Sequence, residues 1–509
     1  MKRYFFILIP LLFGVNALSP TVLAQNKKNN KAAALPQAKD WVSAAVAALG
    51  GEEKLRAVQG LRIQAKGHQK ILGQPDLAEG PWATLYQEMT EWRDLQNHRL
   101  RRDINEWGFL NKTIFADSVA ASSRFNRPFV PESAGIEEWL VVGPERVLLY
   151  AGAAPDLRAR IDSTLNGVTY NRVAFNWRGF PILVYLHKYT HLPTAVEITR
   201  PYRYGHDFFE LWGEVTTRWF YSRWIVRSEG IPYPLQIDIF HNEMPANSFN
   251  LTKIEFNTAM PDSIFKIPAP IKSPQPAGIK NANGDAGPPR PAATEIAPGI
   301  WQITGNLNAT IIQQEDGLVI LEAPTASASS SADGLFAEAS KRFPQTAIKA
   351  VVTTAYTWNY LGGVRDYVAR GIPIYSLDLY QPLLQKVVAA PHRTFPDSLA
   401  RKPRKPEFRP ISTRVLMGKE KDKNRFTLYP TRAMTERLLA YFPEHRLLYA
   451  SDLLVAEVTK PLGRGSMPQF LPDFINAVAR EKLDVAQAFS LHMAPFPWPA
   501  LTQALPPVK

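Results

Sequence analysis

Between Pro268 and Pro298 the chain carries Pro268, Pro270, Pro274, Pro276, Pro288, Pro289 and Pro291 among Gly, Asn, Ala and Lys. Proline has no amide proton to give to a helix or a sheet ladder, and the residues around these prolines are too polar to build a core. A compact domain does not run through such a stretch. The 509-residue chain must therefore divide here, with a separate core on each side. The expected division is a domain over 37–268, a linker over 269–294 and a second domain over 295–509.

The first side reads as sheet. A short helix through Trp41, Val42, Val46 and Leu49, with Asp40 able to cap it, stops at Gly50-Gly51, and a second spans Glu52 to Val58. From Leu61 onward, apolar and polar residues alternate in segments such as Val173–Trp177, Pro181–Leu186, Ala195–Ile198, Glu214–Arg227, Leu235–Phe240 and Phe249–Phe256. Period-two alternation broken by turn residues predicts a mostly antiparallel sheet with one buried face. Nine of the twelve tryptophans fall on this side, enough either to fill an ordinary sheet core or to line an apolar ligand groove. In pattern, short helices followed by many consecutive antiparallel strands are similar to the lipoprotein-carrier class of periplasmic domains. That resemblance implies a curved sheet around helices and a small apolar or amphiphilic ligand.

The chain begins with Lys2 and Arg3, an apolar run from Tyr4 to Val15, and Val22-Leu23-Ala24 before Gln25. This reads as a signal peptide over 1–24, cleaved on export, with a polar lead-in over 25–36. A periplasmic or secreted bacterial location is expected, with no transmembrane segment in the mature chain. The formal charge of +13 is scattered, and runs such as Arg401-Lys402-Pro-Arg404-Lys405 are broken by Pro or acids. No nucleic-acid partner is expected. Without cysteine there is no disulfide and no lipid-modified cysteine.

On the second side, the apolar strand Ile348–Thr353 runs into Ala355-Tyr-Thr-Trp-Asn-Tyr360, then Leu361-Gly-Gly363 and a helix with Leu361, Val364, Tyr367 and Val368 on one face, ending at Gly371. Strands precede this turn, and a hairpin from Leu438 to Ala450 and a helix near Asp473–Lys482 follow it. The strand–turn–Gly-Gly–helix frame resembles the signature turn of the metallo-β-lactamase superfamily, and the resemblance covers about 295 to 505. It implies an αββα sandwich, so the whole chain reads as α/β (α+β): that sandwich behind a mostly antiparallel β domain.

The resemblance also implies zinc, yet the four metal positions of the turn fall on Ala355, Thr357, Asn359 and Tyr360. Zinc ligands are imidazole, thiolate or carboxylate groups at about 2.0–2.3 Å; alanine has no donor atom, and neutral Thr and Asn bind weakly. A further His position falls on Ala433 or Met434. Only Asp452, in Leu447-Leu-Tyr-Ala-Ser-Asp452, and His492 keep ligand-type side chains. No cofactor is therefore expected, and the second domain reads as a non-catalytic, ligand- or partner-binding pseudoenzyme. The alternative is an ester, lactone or amide hydrolase with a reorganised or metal-free site around Asp452, His492 and Tyr360. Thr357, Trp358, Asn359, Tyr360, Asp452 and His492 are the expected walls of a cleft, with Asp452 and His492 paired at its floor. Elsewhere, His187 and His191 with Glu197, and more weakly His206 and His241 with Asp238, are the spacings a metal could use.

Overall fold

The computed structural model describes residues 37–74, 78–132, 134–201, 209–269, 271, 292–305, 307–324, 331–432, 436–454 and 470–503. The expected signal peptide and lead-in, most of the proline-rich stretch, His206, Ala433 and Met434 lie outside them. The fold is strand-rich α+β.

Thirteen strands, from Gly60–Lys70 to Met244–Phe256, form one antiparallel sheet. The chain meanders outward through the first six strands and back through the remaining seven. The last then pairs with the first, Ile63 opposite Ile254. The helix over 37–48 lays Ala38, Val42 and Ala45 against one face of this sheet, and the helix Pro144–Ala153 adds Val147, Leu148 and Ala151. Spacings of three and four residues put each set on one helix face. The first helix already includes Asp40, so Asp40 is not its cap: buried Ala38 extends the apolar stripe one turn further toward the N-terminus.

Inside this half lies a cluster of paired charges. Arg93 meets Glu91 at 2.6 Å and Glu145 at 2.8 Å. Arg102 Nε donates to Glu91 at 2.6 Å, with its guanidinium 3.6 Å from the Trp139 ring centre. Tyr233 donates to Glu145 at 3.2 Å. Each buried charge has an opposite partner, which such burial requires.

The second half holds two sheets. Seven strands, Ala292–Ala297 through Phe408–Ile411, run antiparallel for the first four and parallel for the rest. The first of these occupies part of the stretch read as linker. Six strands, Val415–Met417 through Phe496–Pro497, make the other sheet. In its strand Glu436–Phe442, Leu438, Ala440 and Phe442 join the core shared with the seven-stranded sheet. Leu439 and Tyr441 pack instead with Phe474, Ala477 and Val478 of the helix Phe470–Arg480. Apolar residues on both faces of one strand put a sheet on one side and a helix on the other.

The strand and the helix around Gly362-Gly363 both form, but the helix read from Leu361 to Gly371 is split in two at the glycine pair. The strand Ile348–Val352 is followed by a four-residue helix, Trp358–Leu361, and by Val364–Arg370. Leu361, Val364, Tyr367 and Val368 are all buried. Gly371 closes the helix at φ 74°, its amide donating to the Tyr367 and Val368 carbonyls, a left-handed cap that glycine takes without strain.

Candidate functional site

The residues expected to line a cleft are mostly buried. Ala355, Thr357, Trp358 and Tyr360 lie inside, and Asn359 is half-buried. The Trp358 ring stands edge-on to Phe209 at 5.3 Å and to Trp212 at 5.1 Å, and its amide donates to the Gly73 carbonyl at 3.0 Å. All three partners belong to the first half of the chain. Trp358 is therefore not a cleft wall but a contact between the halves.

Asp452 and His492 do not pair with each other. Arg437 Nε donates to Asp452 Oδ1 at 2.6 Å, and a second guanidinium nitrogen reaches Oδ2 at 3.2 Å. The physical reason is charge. A carboxylate that burial has removed from water draws the strongest available cation, and a guanidinium meets both oxygens at once. The guanidinium lies 4.2 Å from the Tyr356 ring centre. Burial alone would lower the Arg437 pKa, but the neighbouring Asp452 holds it well above the usual value, so the cation persists.

His492 turns to Tyr360 instead, with Nε2 2.9 Å from the hydroxyl. Burial lowers the His492 pKa against the opposing pull of Asp452. Burial, with Asp452 nearby, pushes the Tyr360 phenol well up. A neutral imidazole and a protonated phenol are what remain. Neither is an activated nucleophile.

Behind this pair lies a carboxyl that the sequence reading missed. Glu322, at φ 77° after the buried strand Gly317–Leu321, accepts from the Tyr449 hydroxyl at 2.9 Å and contacts the Thr354 hydroxyl. That hydroxyl also lies 2.8 Å from Ser451 Oγ. Thr354 has one proton for two oxygen neighbours. That proton serves the Glu322 carboxyl or Ser451, and the Ser451 hydroxyl has a proton of its own. Burial pushes this carboxyl up to about 7, the hydrogen bonds from Thr354 and Tyr449 opposing it.

The sign of the pH effect follows. Between the ordinary value of 4.5 and about 7, the unfolded chain binds fewer protons than the folded one. The stability associated with Glu322 is thus full below that window and lost as pH rises through it, by about 3 kcal/mol in all. Urea unfolding at about pH 4 and about pH 8 should show this decline, and Glu322→Gln should flatten it. An unchanged decline in Glu322→Gln would assign the effect to another group.

No family model matches the sequence, and no curated protein matches it either. Among solved structures, the chain is similar to a metallo-beta-lactamase from Pontibacter korlensis, at 13% identity and a TM-score of 0.33, over 42% of this chain and 97% of that one. It is also similar to a metallo-beta-lactamase from Hirschia baltica, at 13% identity and a TM-score of 0.32, over 43% of this chain and 100% of that one. Scores of that size carry no argument, and the two-sheet arrangement rests on its own strand order. The resemblance of the first half to lipoprotein carriers draws no support from these chains.

The residues present do not suit the zinc that the fold resemblance implies. Ala355 offers no donor atom, Arg437 takes both oxygens of Asp452, and the fixed guanidinium repels a second cation. Among the described residues no group of three or more His, Cys, Asp or Glu could hold a metal ion. The other candidate spacings are otherwise engaged. His187 Nδ1 accepts from the Thr190 amide in a turn, and Glu197 is bound by Arg218 and Tyr185. His241 bonds Thr217, with burial lowering its pKa to about 4, while Asp238 accepts from Ser248 and Gln236.

Proposed function

We propose that this chain is an exported, two-domain binding protein whose second domain is a metallo-β-lactamase-type sandwich working without metal and without hydrolysis. The observation that supports this best is the two-pronged contact of Arg437 with Asp452. It puts a permanent organic cation against the one carboxylate the resemblance would assign to a metal. Burial of Trp358 under the first half supports the same reading, because it removes surface from the turn that would otherwise receive a substrate. Export rests on the basic, then apolar, then Val22-Leu23-Ala24 order of the N-terminus. The ligand class we assign is a small apolar or amphiphilic molecule, or a protein partner, held without turnover.

Protein purified without chelators should carry zinc, iron and manganese far below stoichiometry by elemental analysis. It should also leave ester, lactone and β-lactam substrates intact. The competing reading is a hydrolase using Asp452, His492 and Tyr360. It is weakened because Arg437 occupies both oxygens of Asp452, which leaves His492 without the carboxylate that would orient it as a base, and because burial keeps the Tyr360 phenol protonated. Turnover abolished by His492→Ala in a folded protein would reverse the order of the two.

A further inference from the structure

At one end of the thirteen-stranded sheet, the first six strands finish in hairpin loops that carry apolar side chains outward. Gln87 pairs with Glu106 and Glu106 with Phe109, while Lys112 pairs with Ser123 and Ser122 with Val130. These registers place Tyr86, Trp107, Phe125 and Val130 at the same end. They are exposed by 74%, 71%, 52% and 55%. The two tips are tied together: the Phe125 amide donates to Asn111 Oδ1 at 2.8 Å, the Leu110 amide to Asn126 Oδ1 at 3.2 Å, and the Phe109 and Phe125 rings meet edge-on at 5.7 Å.

Trp107 opens the two-residue loop Trp107-Gly108 at φ 50°, and Phe125 opens the central pair of the turn from Arg124 to Arg127 at φ 54°, positions that favour Gly, Asn or Asp. A bulky L-residue there is strained. Strain of this kind is ordinarily offset by packing the side chain, yet Phe125 keeps one edge contact with Phe109 and is 52% exposed, and Trp107 is 71% exposed. Most of the apolar surface of both rings is left for something outside the chain.

The charges around the tips indicate what that is. Lys70, Lys112, Arg124 and Arg127 stand at this end against Glu106 and Glu132, an excess of cations. The tips are convex ends of hairpins. A rigid protein partner would need a matching socket for them. A fluid bilayer interface accepts a protruding aromatic without one, and Trp prefers that depth. Basic side chains beside the aromatics add attraction to anionic headgroups. We propose that the Trp107 and Phe125 hairpin tips form a docking point for an anionic lipid surface.

The test is co-sedimentation of the full chain with vesicles of phosphatidylcholine alone and of phosphatidylcholine with phosphatidylglycerol. Partitioning should be at least about tenfold stronger onto the anionic vesicles and should weaken with salt. Trp107→Ser with Phe125→Ser should lower it about tenfold or more. Arg124→Gln with Arg127→Gln should bring anionic binding close to that on neutral vesicles. All four positions are exposed, so circular dichroism should show an unchanged fold. Equal partitioning onto both vesicle types, or partitioning untouched by either pair of substitutions, overturns the proposal. So does a tip variant that alters only self-association in ultracentrifugation, which would make the tips a protein interface.

Discussion

Arg437→Ala is expected to destabilise the second half by about 3–5 kcal/mol, the usual cost of breaking a buried ion pair from one side. The guanidinium and the Asp452 carboxylate are both nearly excluded from water. Removing the arginine leaves a charge that can neither hydrate nor pair. It also removes the face that stacks on Tyr356 and the bond to the Glu436 carbonyl at 3.2 Å. The double variant Arg437→Met/Asp452→Leu removes both charges at similar volume and should lie much closer to wild type, because replacing a whole buried pair by apolar groups is often neutral. Urea unfolding of the two singles and the double closes the cycle. A single-variant cost under about 1 kcal/mol would place the pair in solvent-screened surroundings and remove the support for a resident organic cation.

This ion pair also shows where reading the sequence stops. Asp452 was recognisable because it follows an apolar strand at a place the family resemblance marks. Arg437 is the second residue of the strand Glu436–Phe442, and nothing in local spacing says that its side chain turns toward the carboxylate. Glu322 left a fainter trace: it is the single acid ending the wholly apolar strand Gly317–Leu321. A lone carboxyl in that position reads as a solvated loop residue until the neighbouring sheet is known to cover it.

The same limit explains which strands were legible. Val168–Trp177 and Phe180–His187 bury apolar side chains, so their alternation appears directly in the residue types. Thr84–Asp94 alternates equally well in space, but its inward face is Leu85, Gln87, Met89, Glu91 and Arg93. Arg99–Glu106 likewise turns Arg102 inward beside Leu100. Charges paired across strands satisfy burial without an apolar pattern. The inward face of these strands therefore looked polar, and the early part of the meander could not be read until the partners Glu91, Arg93, Arg102 and Glu145 were seen together.

Trp358 carries the second large effect. In sequence it lies in a turn whose family resemblance places it at the mouth of a site, and its size invited the role of a wall. Its neighbours Phe209 and Trp212 lie far away in the chain, beyond any local pattern. In the structure the ring is 1% exposed and wedged edge-on between them. Other ties cross the same junction. The Thr394 amide and hydroxyl both donate to Glu214 Oε1, at 2.6 and 2.8 Å. His392 lies so close to Gly213, at φ +66°, that a Cβ there would stand 2.6 Å from the imidazole.

Trp358→Ala should then cost about 3–5 kcal/mol, the range for emptying a buried aromatic site. It should also loosen the halves from each other, because the lost contacts are between them. Urea unfolding followed by fluorescence should pass from one transition in the parent to two in the variant, and limited proteolysis should release the halves sooner. Tyr360→Phe provides the scale, since it removes one hydroxyl and its bond to His492 while leaving the ring, a change of about 0.5–1.5 kcal/mol. If Trp358→Ala proved the milder of the two, or left one transition, the aromatic wedge would not join the halves. The turn would then again be free to serve a ligand.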